Sequence, residues 1–129
     1  MQLDQHLPQG HLYFRRYSHD TVTIVDRVLT RSFLLAPDRL VEDWPVQAVE
    51  QLDEAALAAI AALGPELVLL GTGTRQVFPA PRIQAQLLQR GIGVEVMDNA
   101  AACRTYNLLA EEGRRVVAAM MLTGAADPR

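Results

Sequence analysis

The second half of the chain alternates short apolar runs with helix-like segments, and this alternation limits the fold more than any other feature. The predicted strands span residues 66–71, 92–97 and 114–122, and each is mostly apolar, with a continuous apolar run at residues 67–71. Such a run is typical of a strand that is covered on both faces. Because strands joined by helices through short connections form parallel sheets with right-handed crossovers, we expect a parallel β-α-β-α-β core.

Two of the predicted helices have clear start and stop signals. Asp53 is a suitable cap for the first, which ends at Gly64. Its apolar stripe comprises Ala56, Ala59, Ile60 and Leu63. The second helix begins at residues 79–81 and stops at Gly91. Its inner face is predicted to hold Ile83, Leu87 and Leu88.

The third predicted helix begins at Asp98 or Asn99 and continues to Glu112. Its apolar face then consists of Ala102, Cys103, Tyr106, Leu109 and Ala110. Cys103 is the only cysteine, so the chain cannot form an internal disulfide, which is typical of a reducing compartment. The pattern favours a buried, small hydrophobic role for Cys103, and a thiol activated by the helix N-terminus is the alternative.

The first forty residues have the composition of β-structure. Candidate strands lie within residues 11–18, 21–26 and 27–36, and a short extended piece is expected within residues 44–49 because a residue before proline avoids helix. Val22 and Ile24 alternate with threonines, the period of a half-buried antiparallel strand. We therefore predict one three-layer α/β domain over residues 1–129, with added antiparallel strands and with mobile termini at residues 1–10 and 123–129.

The charged residues exclude several functions. All 12 basic residues are arginine, which excludes Schiff-base chemistry and a catalytic lysine base. The net charge of -3 argues against nucleic acid as a partner. Residues 41–70 hold six acids and no base, so this segment is either a solvated surface or a docking patch for a basic partner. The irregular spacing of the three histidines predicts no metal site.

The N-terminal sequence predicts no export signal, because it lacks a basic start followed by an apolar stretch. The wholly apolar runs, such as residues 116–122, are too short for a bilayer, which needs about 20 residues. We therefore expect a cytoplasmic protein without a transmembrane segment.

The strongest candidate for a binding site is a glycine loop after the first parallel strand. The loops that follow parallel strands meet at one edge of the sheet, so two of them should together form a small-anion site. The candidate residues are Gly71, Thr72, Gly73, Thr74, Arg75, Asp98 and Asn99. Glycines permit close backbone approach, and the arginine offers a planar fork for carboxylate or phosphate. Turn chemistry with a helix cap is the alternative.

Nucleotide binding is a weaker hypothesis for the same loop. The run of residues 71–76 resembles the dinucleotide fingerprint only in part, because Gln76 stands where the third glycine is needed. Glu95 or Asp98 lies near the spacing of a ribose-binding acid. No cofactor is predicted from these residues.

A protein-interaction face is the competing candidate. Arg104, Asn107 and Glu111 recur on one side of the third predicted helix, and Trp44 is the only tryptophan. The helical stripe is either a solvated surface or part of an interface. These four residues and the acidic segment are therefore candidates for contacting a protein partner.

Two segments carry a resemblance to a known family. The run of residues 97–121, preceded by the loop of residues 69–79, resembles a small domain-of-unknown-function family. That family includes the mitochondrial NADH dehydrogenase (complex I) assembly factor 3 and an adipogenesis-associated protein. The most specific pieces are the glycine loop with Arg75, the Thr105-Tyr106-Asn107 stretch and the Glu112-Gly113-Arg114 stretch.

The resemblance implies a compact α/β fold with an additional β-layer and no established enzymatic activity. It therefore favours a non-catalytic interaction or assembly protein, with no catalytic residues to carry over. The mitochondrial relative has a targeting leader that we do not expect in this chain, so the partner is left unidentified. A small anionic ligand or nucleotide bound at the glycine loop is the alternative function, and the oligomeric state stays open.

Overall fold

The computed structural model describes residues 10–123 and forms a mixed α/β domain with two sheets and three α-helices. The mixed α/β class and the single domain predicted from the sequence are confirmed. The expectation of mobile ends at residues 1–10 and 123–129 falls, apart from Gly10 and Thr123, outside the described residues.

The smaller sheet is an antiparallel meander of three strands. These are β1 (Phe14–Tyr17), β2 (Val22–Ile24) and β3 (Arg27–Leu29), in that spatial order. The expected alternation in β2 is incomplete, because Thr23 is buried along with its apolar neighbours. This strand is central in its sheet and covered on both faces, so the prediction of a half-buried strand is wrong.

The larger sheet combines antiparallel and parallel strands. Its members are β4 (Phe33–Ala36), β5 (Arg39–Val41), β6 (Leu67–Gly71), β7 (Gly93–Met97) and β8 (Val116–Met120), in the order β5-β4-β8-β6-β7. β6 pairs in parallel with both β7 and β8, whereas β4 pairs antiparallel with β8 and with β5. The chain thus enters this sheet through an antiparallel hairpin and completes it with three parallel strands.

The first forty residues divide differently from the prediction. Residues 27–36 form two strands that belong to different sheets, because β3 pairs with β2 and β4 pairs with β8. Residues 44–49 contain no strand, and the extended piece lies earlier, at β5. A bidentate ion pair from Arg27 to Glu42 at 2.7 and 2.9 Å connects the end of β5 to the smaller sheet.

The helices begin where the sequence predicts. α1 (Glu54–Ala61) is capped by Asp53, whose Oδ1 accepts from the Ala56 N–H at 2.9 Å. α2 (Pro81–Gln89) starts with proline, and α3 (Asn99–Glu111) is capped by Asp98. A short 3₁₀ helix, Val49–Gln51, precedes α1. The predicted position of Leu88 on the inner face of α2 is wrong, since its side chain is 60% exposed.

The larger sheet separates two apolar clusters. Side chains alternate along β8, so Val117 and Ala119 pack with α1 and α2, while Val116 and Ala118 pack with α3 and the smaller sheet. Tyr106 is fully buried in the second cluster, where its hydroxyl donates to the Leu12 carbonyl at 3.0 Å. The carboxyl ends of β6, β7 and β8 therefore lie at one edge of a sheet that is covered on both faces.

Candidate functional site

The two loops proposed as an anion site do lie together. Gly71, at the end of β6, is in register with Met97 on β7 and with Met120 on β8. The Thr72 N–H donates to the Met97 carbonyl at 3.0 Å, and the Met121 N–H donates to the Gly71 carbonyl at 2.9 Å. The parallel pairing thus brings the glycine loop and the start of α3 to the same edge of the sheet.

Asn99 holds this edge together. Its side chain is fully buried, its Oδ1 accepts from the Gly73 N–H at 3.0 Å, and its Nδ2 donates to the Met121 carbonyl at 3.0 Å. Its own backbone N–H donates to the Gly73 carbonyl at 2.8 Å. One asparagine therefore connects the glycine loop to the end of β8, and its polar side-chain atoms are used within the chain.

The two glycines of the loop have structural reasons to be glycine. A Cβ at Gly71 would lie 2.5 Å from the Asn99 Oδ1 and 2.8 Å from the Met120 sulfur, so a side chain does not fit. Gly73 has φ +99°, in the region that other residues rarely adopt. Close packing and backbone conformation account for both residues without a ligand.

The Thr72 hydroxyl is also used inside the loop. It donates to the Arg75 carbonyl at 2.6 Å and accepts from the Val77 N–H at 3.0 Å. It lies 3.3 Å from the Met97 carbonyl as well. The loop is thus closed by its own threonine, which leaves the hydroxyl little capacity to bind a ligand.

Asp98 acts as a helix cap. Its Oδ1 accepts from the Ala101 N–H at 2.8 Å, which satisfies one of the free donors at the start of α3. This geometry corresponds to the turn-and-cap alternative for the loop.

Thr74 and Arg75 are the loop residues that stay available to solvent. Both are exposed, and within residues 10–123 the Arg75 guanidinium makes no ion pair. They line an open cavity of about 550 Å³. Asp20 and Glu50 line the same cavity, so negative charges stand near the arginine. The cleft therefore has mixed charge, and Arg75 is the arginine that the loop contributes to it.

A larger cavity, of about 770 Å³, was not anticipated from the sequence. It lies beside the residues that follow β5, and its lining includes Thr30, Arg31, Asp43, Gln47 and Gln51. Gln47 and Thr123 belong to both cavities, which places the two clefts next to each other. The lining comes from separate parts of the chain, and no local sequence pattern identifies it.

Trp44 does not lie on an accessible face, contrary to its selection as an interaction residue. Its side chain is 2% exposed and packs in the cluster beneath α1. The indole Nε1–H donates to the Ala56 carbonyl at 3.3 Å. The residue is therefore part of the core, because burying its large ring also satisfies its single donor.

The predicted stripe on α3 is only partly free. The Asn107 amide accepts from the Phe14 N–H and donates to the Phe14 carbonyl, both at 2.8 Å, and so pairs with β1 as a neighbouring strand would. Arg104 and Glu111 are exposed, and Leu108 between them is 58% exposed. Asn107 thus has an internal role, while the two charged residues stay on the surface.

Cys103 is an unsuitable nucleophile. It is buried against the smaller sheet, and burial raises the pKa of its thiol to about 12 despite the opposing effect of Arg104. A thiol with such a pKa is protonated at physiological pH. The buried hydrophobic role predicted for Cys103 accords with this environment.

Within residues 10–123, no three His, Cys, Asp or Glu side chains come together in a group that could hold a metal ion. No helix in that range has the length and apolar character needed to cross a membrane.

Comparison with protein families identifies one match. The family model described as "Protein of unknown function (DUF498/DUF598)" matches residues 14–121, a range that includes the glycine loop and all of α3.

Two curated proteins that are similar to this chain have different names. The chain is 33% identical to mouse "NADH dehydrogenase [ubiquinone] 1 alpha subcomplex assembly factor 3" over 92% of its own length. The match covers 64% of the mouse protein, so the chain spans less than two thirds of that relative. It is 28% identical to the "13 kDa major membrane protein" of Francisella tularensis, over 90% of this chain and 95% of that protein.

Solved structures share the whole architecture. The NMR structure of a Xanthomonas campestris protein superposes with a TM-score of 0.83 at 46% identity, covering 100% of this chain and 98% of that one. A Bordetella pertussis protein described as an Mth938-like domain superposes with a TM-score of 0.78 at 30% identity, covering 96% and 94%. The fold is therefore Mth938-like.

Proposed function

The chain belongs to the DUF498/DUF598 family of proteins of unknown function, and on that premise we propose that it is a non-catalytic factor that binds other proteins during the assembly of a multi-subunit complex. We further propose that it works in the cytoplasm. The relatives named as NADH dehydrogenase assembly factors support the assembly role, since the similarity extends over most of the chain.

The observation that carries the proposal is the internal use of polar groups where an α/β protein would place its catalytic residues. At the carboxyl edge of the parallel strands, Asn99 and Thr72 bind loop and strand-end backbone groups, and Asp98 caps α3. Large apolar side chains at Phe78 and Leu88 are exposed instead. Free apolar groups suit contact with a protein surface better than they suit catalysis.

Deletion of the gene in its native cells tests the proposal. The membranes are then separated by native electrophoresis, and the respiratory NADH dehydrogenase is followed by in-gel activity. We expect less of the complete complex and an accumulation of smaller subassemblies, both restored by the wild-type gene. Because the loop arginine has no role in this function, the Arg75→Ala gene should restore assembly equally well. An unchanged amount of complete complex in the deletion strain would argue against a role in assembling this enzyme.

A small anionic ligand at the glycine loop is the second candidate. It is supported by the exposed Arg75 side chain, which lines the 550 Å³ cavity and forms no ion pair within residues 10–123. Asp20 and Glu50 line the same cavity, so we expect weak binding that favours ligands with a positive group beside the anion.

Thermal-shift measurements with nucleotides, phosphate and small carboxylates test this candidate. Binding at the loop predicts a rise in melting temperature that disappears in the Arg75→Ala variant and persists in Arg104→Ala, a matched change of an exposed arginine on α3. If no compound stabilises the wild-type protein, or if both variants retain the same shift, the loop is not the site.

A further inference from the structure

A β-bulge in β1 turns two neighbouring arginines to the solvent. Phe14 pairs with Ile24. Arg16 pairs with Thr23, the residue just before Ile24, so Arg15 is an extra residue on β1. Side chains normally alternate between the two faces of a sheet, but Arg15 and Arg16 are both exposed. Bulges redirect side chains in this way, and the result here is two adjacent positive charges on an edge strand.

A third arginine lies beside this strand, on α3. The Asn107 amide accepts from the Phe14 N–H and donates to the Phe14 carbonyl, both at 2.8 Å, and so holds the start of β1 against the helix. Arg104 comes three residues before Asn107 and is exposed. Because residues three apart are neighbours on a helix surface, Arg104 lies close to the seam between α3 and β1.

The far end of β1 shows the direction in which the strand follows the helix. Tyr17 packs against the buried cluster that contains Cys103. Burial raises the pKa of the Tyr17 hydroxyl, and Cys103 and Asp98, near the start of α3, raise it further. β1 therefore runs back along α3, and its two arginines lie beside the turn that carries Arg104. The three side chains form a basic patch, which consists of Arg15, Arg16 and Arg104.

The charges of the basic patch are not neutralised within the part of the chain that the structure describes, because none of its arginines forms an ion pair there. The acids near its ends are otherwise engaged or lie apart. Asp98 caps α3, and the Asp20 carboxylate accepts from the Ser18 hydroxyl at 3.3 Å. Glu111 is seven residues from Arg104, about 10 Å along the helix. The three guanidinium groups are therefore free to bind a ligand.

We propose that the basic patch binds an acidic segment of a partner protein. The proposal rests on the proposed assembly function, since it names the kind of partner that such a factor would bind. A guanidinium binds a carboxylate through two parallel hydrogen bonds, and clusters of arginine recognise acidic motifs in other proteins. Two adjacent arginines on β1 and one across the seam on α3 suit successive carboxylates of an extended segment.

Nucleic acids and anionic membranes are less suitable ligands for the basic patch. Attachment to anionic lipid typically uses clusters of about 4–8 basic residues, and nucleic-acid binding gains its affinity from neutralising many phosphates. The patch supplies only three arginines, on a chain whose net charge is -3. The rest of the surface would be repelled by an extended polyanion. A short acidic segment needs no more charges than the patch provides.

Fluorescence anisotropy with a fluorescein-labelled oligoglutamate peptide tests the proposal on the full chain. We expect binding at low ionic strength that weakens as salt is added. Arg15→Gln, Arg16→Gln and Arg104→Gln should each raise the Kd by about threefold, the change typical of losing one exposed ion pair. The variant that combines all three substitutions should raise it by at least about tenfold.

Arg82→Gln is the matched control. Arg82 is also exposed and also forms no ion pair within residues 10–123. It lies on α2, however, which covers the opposite face of the larger sheet from α3. The substitution changes the net charge as much as each single change in the patch does, so it separates a local site from overall charge. It should leave the Kd unchanged, and all variants should keep the wild-type circular dichroism spectrum.

A wild-type protein that does not bind the peptide at low ionic strength overturns the proposal, as does an equal loss of affinity in Arg82→Gln. Competition with a DNA duplex and with phosphatidylserine vesicles tests the class of ligand. If either displaces the labelled peptide at a lower concentration of negative charge than unlabelled oligoglutamate does, the patch does not select protein carboxylates and the proposal fails.

The peptide measurement and the deletion experiment fail independently. A deletion strain with a normal amount of complete complex would refute the assembly function and leave a measured peptide site intact. Absence of peptide binding, together with a defective deletion strain, would refute the basic patch alone.

Discussion

Replacing Asn99 by alanine removes two hydrogen bonds from a fully buried position. The Met121 carbonyl, which is buried, loses the Nδ2 donor, and the partly buried Gly73 N–H loses its acceptor. An unsatisfied buried carbonyl costs about 1–3 kcal/mol, and a partly hydrated N–H costs about 1 kcal/mol. We therefore expect Asn99→Ala to lower the free energy of unfolding by about 2–4 kcal/mol.

Asn107→Ala provides a closely matched comparison. That side chain also makes two hydrogen bonds to backbone groups and also lies on α3, but its environment is only partly buried. Water can replace the amide there, so the expected loss is about 1 kcal/mol. Alanine raises helix propensity at position 107, in the helix interior, more than at Asn99, the first residue of α3, and this adds to the expected difference.

Urea unfolding monitored by circular dichroism measures both losses. With a slope of about 1–3 kcal/mol per molar urea for a protein of this size, the two midpoints should differ by about 1 M. Hydrogen exchange gives a local readout, because the Gly73 amide should exchange faster in Asn99→Ala while the Phe14 amide does not. Equal midpoints for the two variants would refute the reasoning that burial determines the difference.

Three further predictions follow from individual contacts. Gly71→Ala should lower the free energy of unfolding by about 1–3 kcal/mol, because the new Cβ would overlap the Asn99 amide oxygen. Gly93→Ala should lower it less, because its Cβ would lie 3.3 Å from a leucine methyl group. Thermal unfolding measures both losses. Cys103 should resist thiol reagents at mildly alkaline pH while folded and react in urea, because burial raises its pKa to about 12 and keeps the thiol protonated; rapid labelling of the folded protein would contradict this. The hydrogen bond from Arg27 lowers the pKa of Glu42, so the pair stabilises the fold above the ordinary carboxyl pKa and this stability is lost as the pH falls through the lowered value. Since both side chains are about a third exposed, Glu42→Gln should lower the free energy of unfolding by at most about 1 kcal/mol near neutral pH and by nothing in acid, as pH-dependent urea unfolding would show.

Local features of the fold could be predicted because their causes are local. Asp53 and Asp98 cap helices whose first N–H groups lie three residues away. Residues 67–71 are apolar throughout because β6 is covered on both faces. The chemistry that produces these features is contained within a few neighbouring positions.

The errors concern contacts between distant parts of the chain. The sequence predicts one strand within residues 27–36, but β4 pairs with β8, more than eighty residues later, while β3 pairs with β2. Leu88 is one position beyond the buried Leu87, and a rotation of 100° per residue turns it to the outside. The strand pairing is not apparent from composition or apolar spacing alone, because the partner strand is distant in the sequence.

In the candidate site, too, features with local causes could be predicted from the sequence, whereas contacts between distant residues could not. The sequence correctly places the glycine loop and Asn99 at one edge of the sheet, because parallel strands determine where their loops meet. It does not reveal that Asn99 reaches Met121, or that Asn107 pairs with Phe14 ninety-three residues away. The tertiary structure determines which backbone groups these side chains meet. A polar side chain that could bind a ligand can equally hydrogen-bond to a backbone group.

The position of β8 has a consequence for how the protein is made. Although β8 comes last among the described strands, it lies in the middle of the larger sheet, between β4 and β6. During synthesis on the ribosome, β4 and β6 emerge early and must wait with their pairing edges open until residues 116–120 are released. The cell is therefore expected to protect these edges during translation, and a ribosome that stalls before β8 would yield a chain prone to aggregation rather than a partly folded domain.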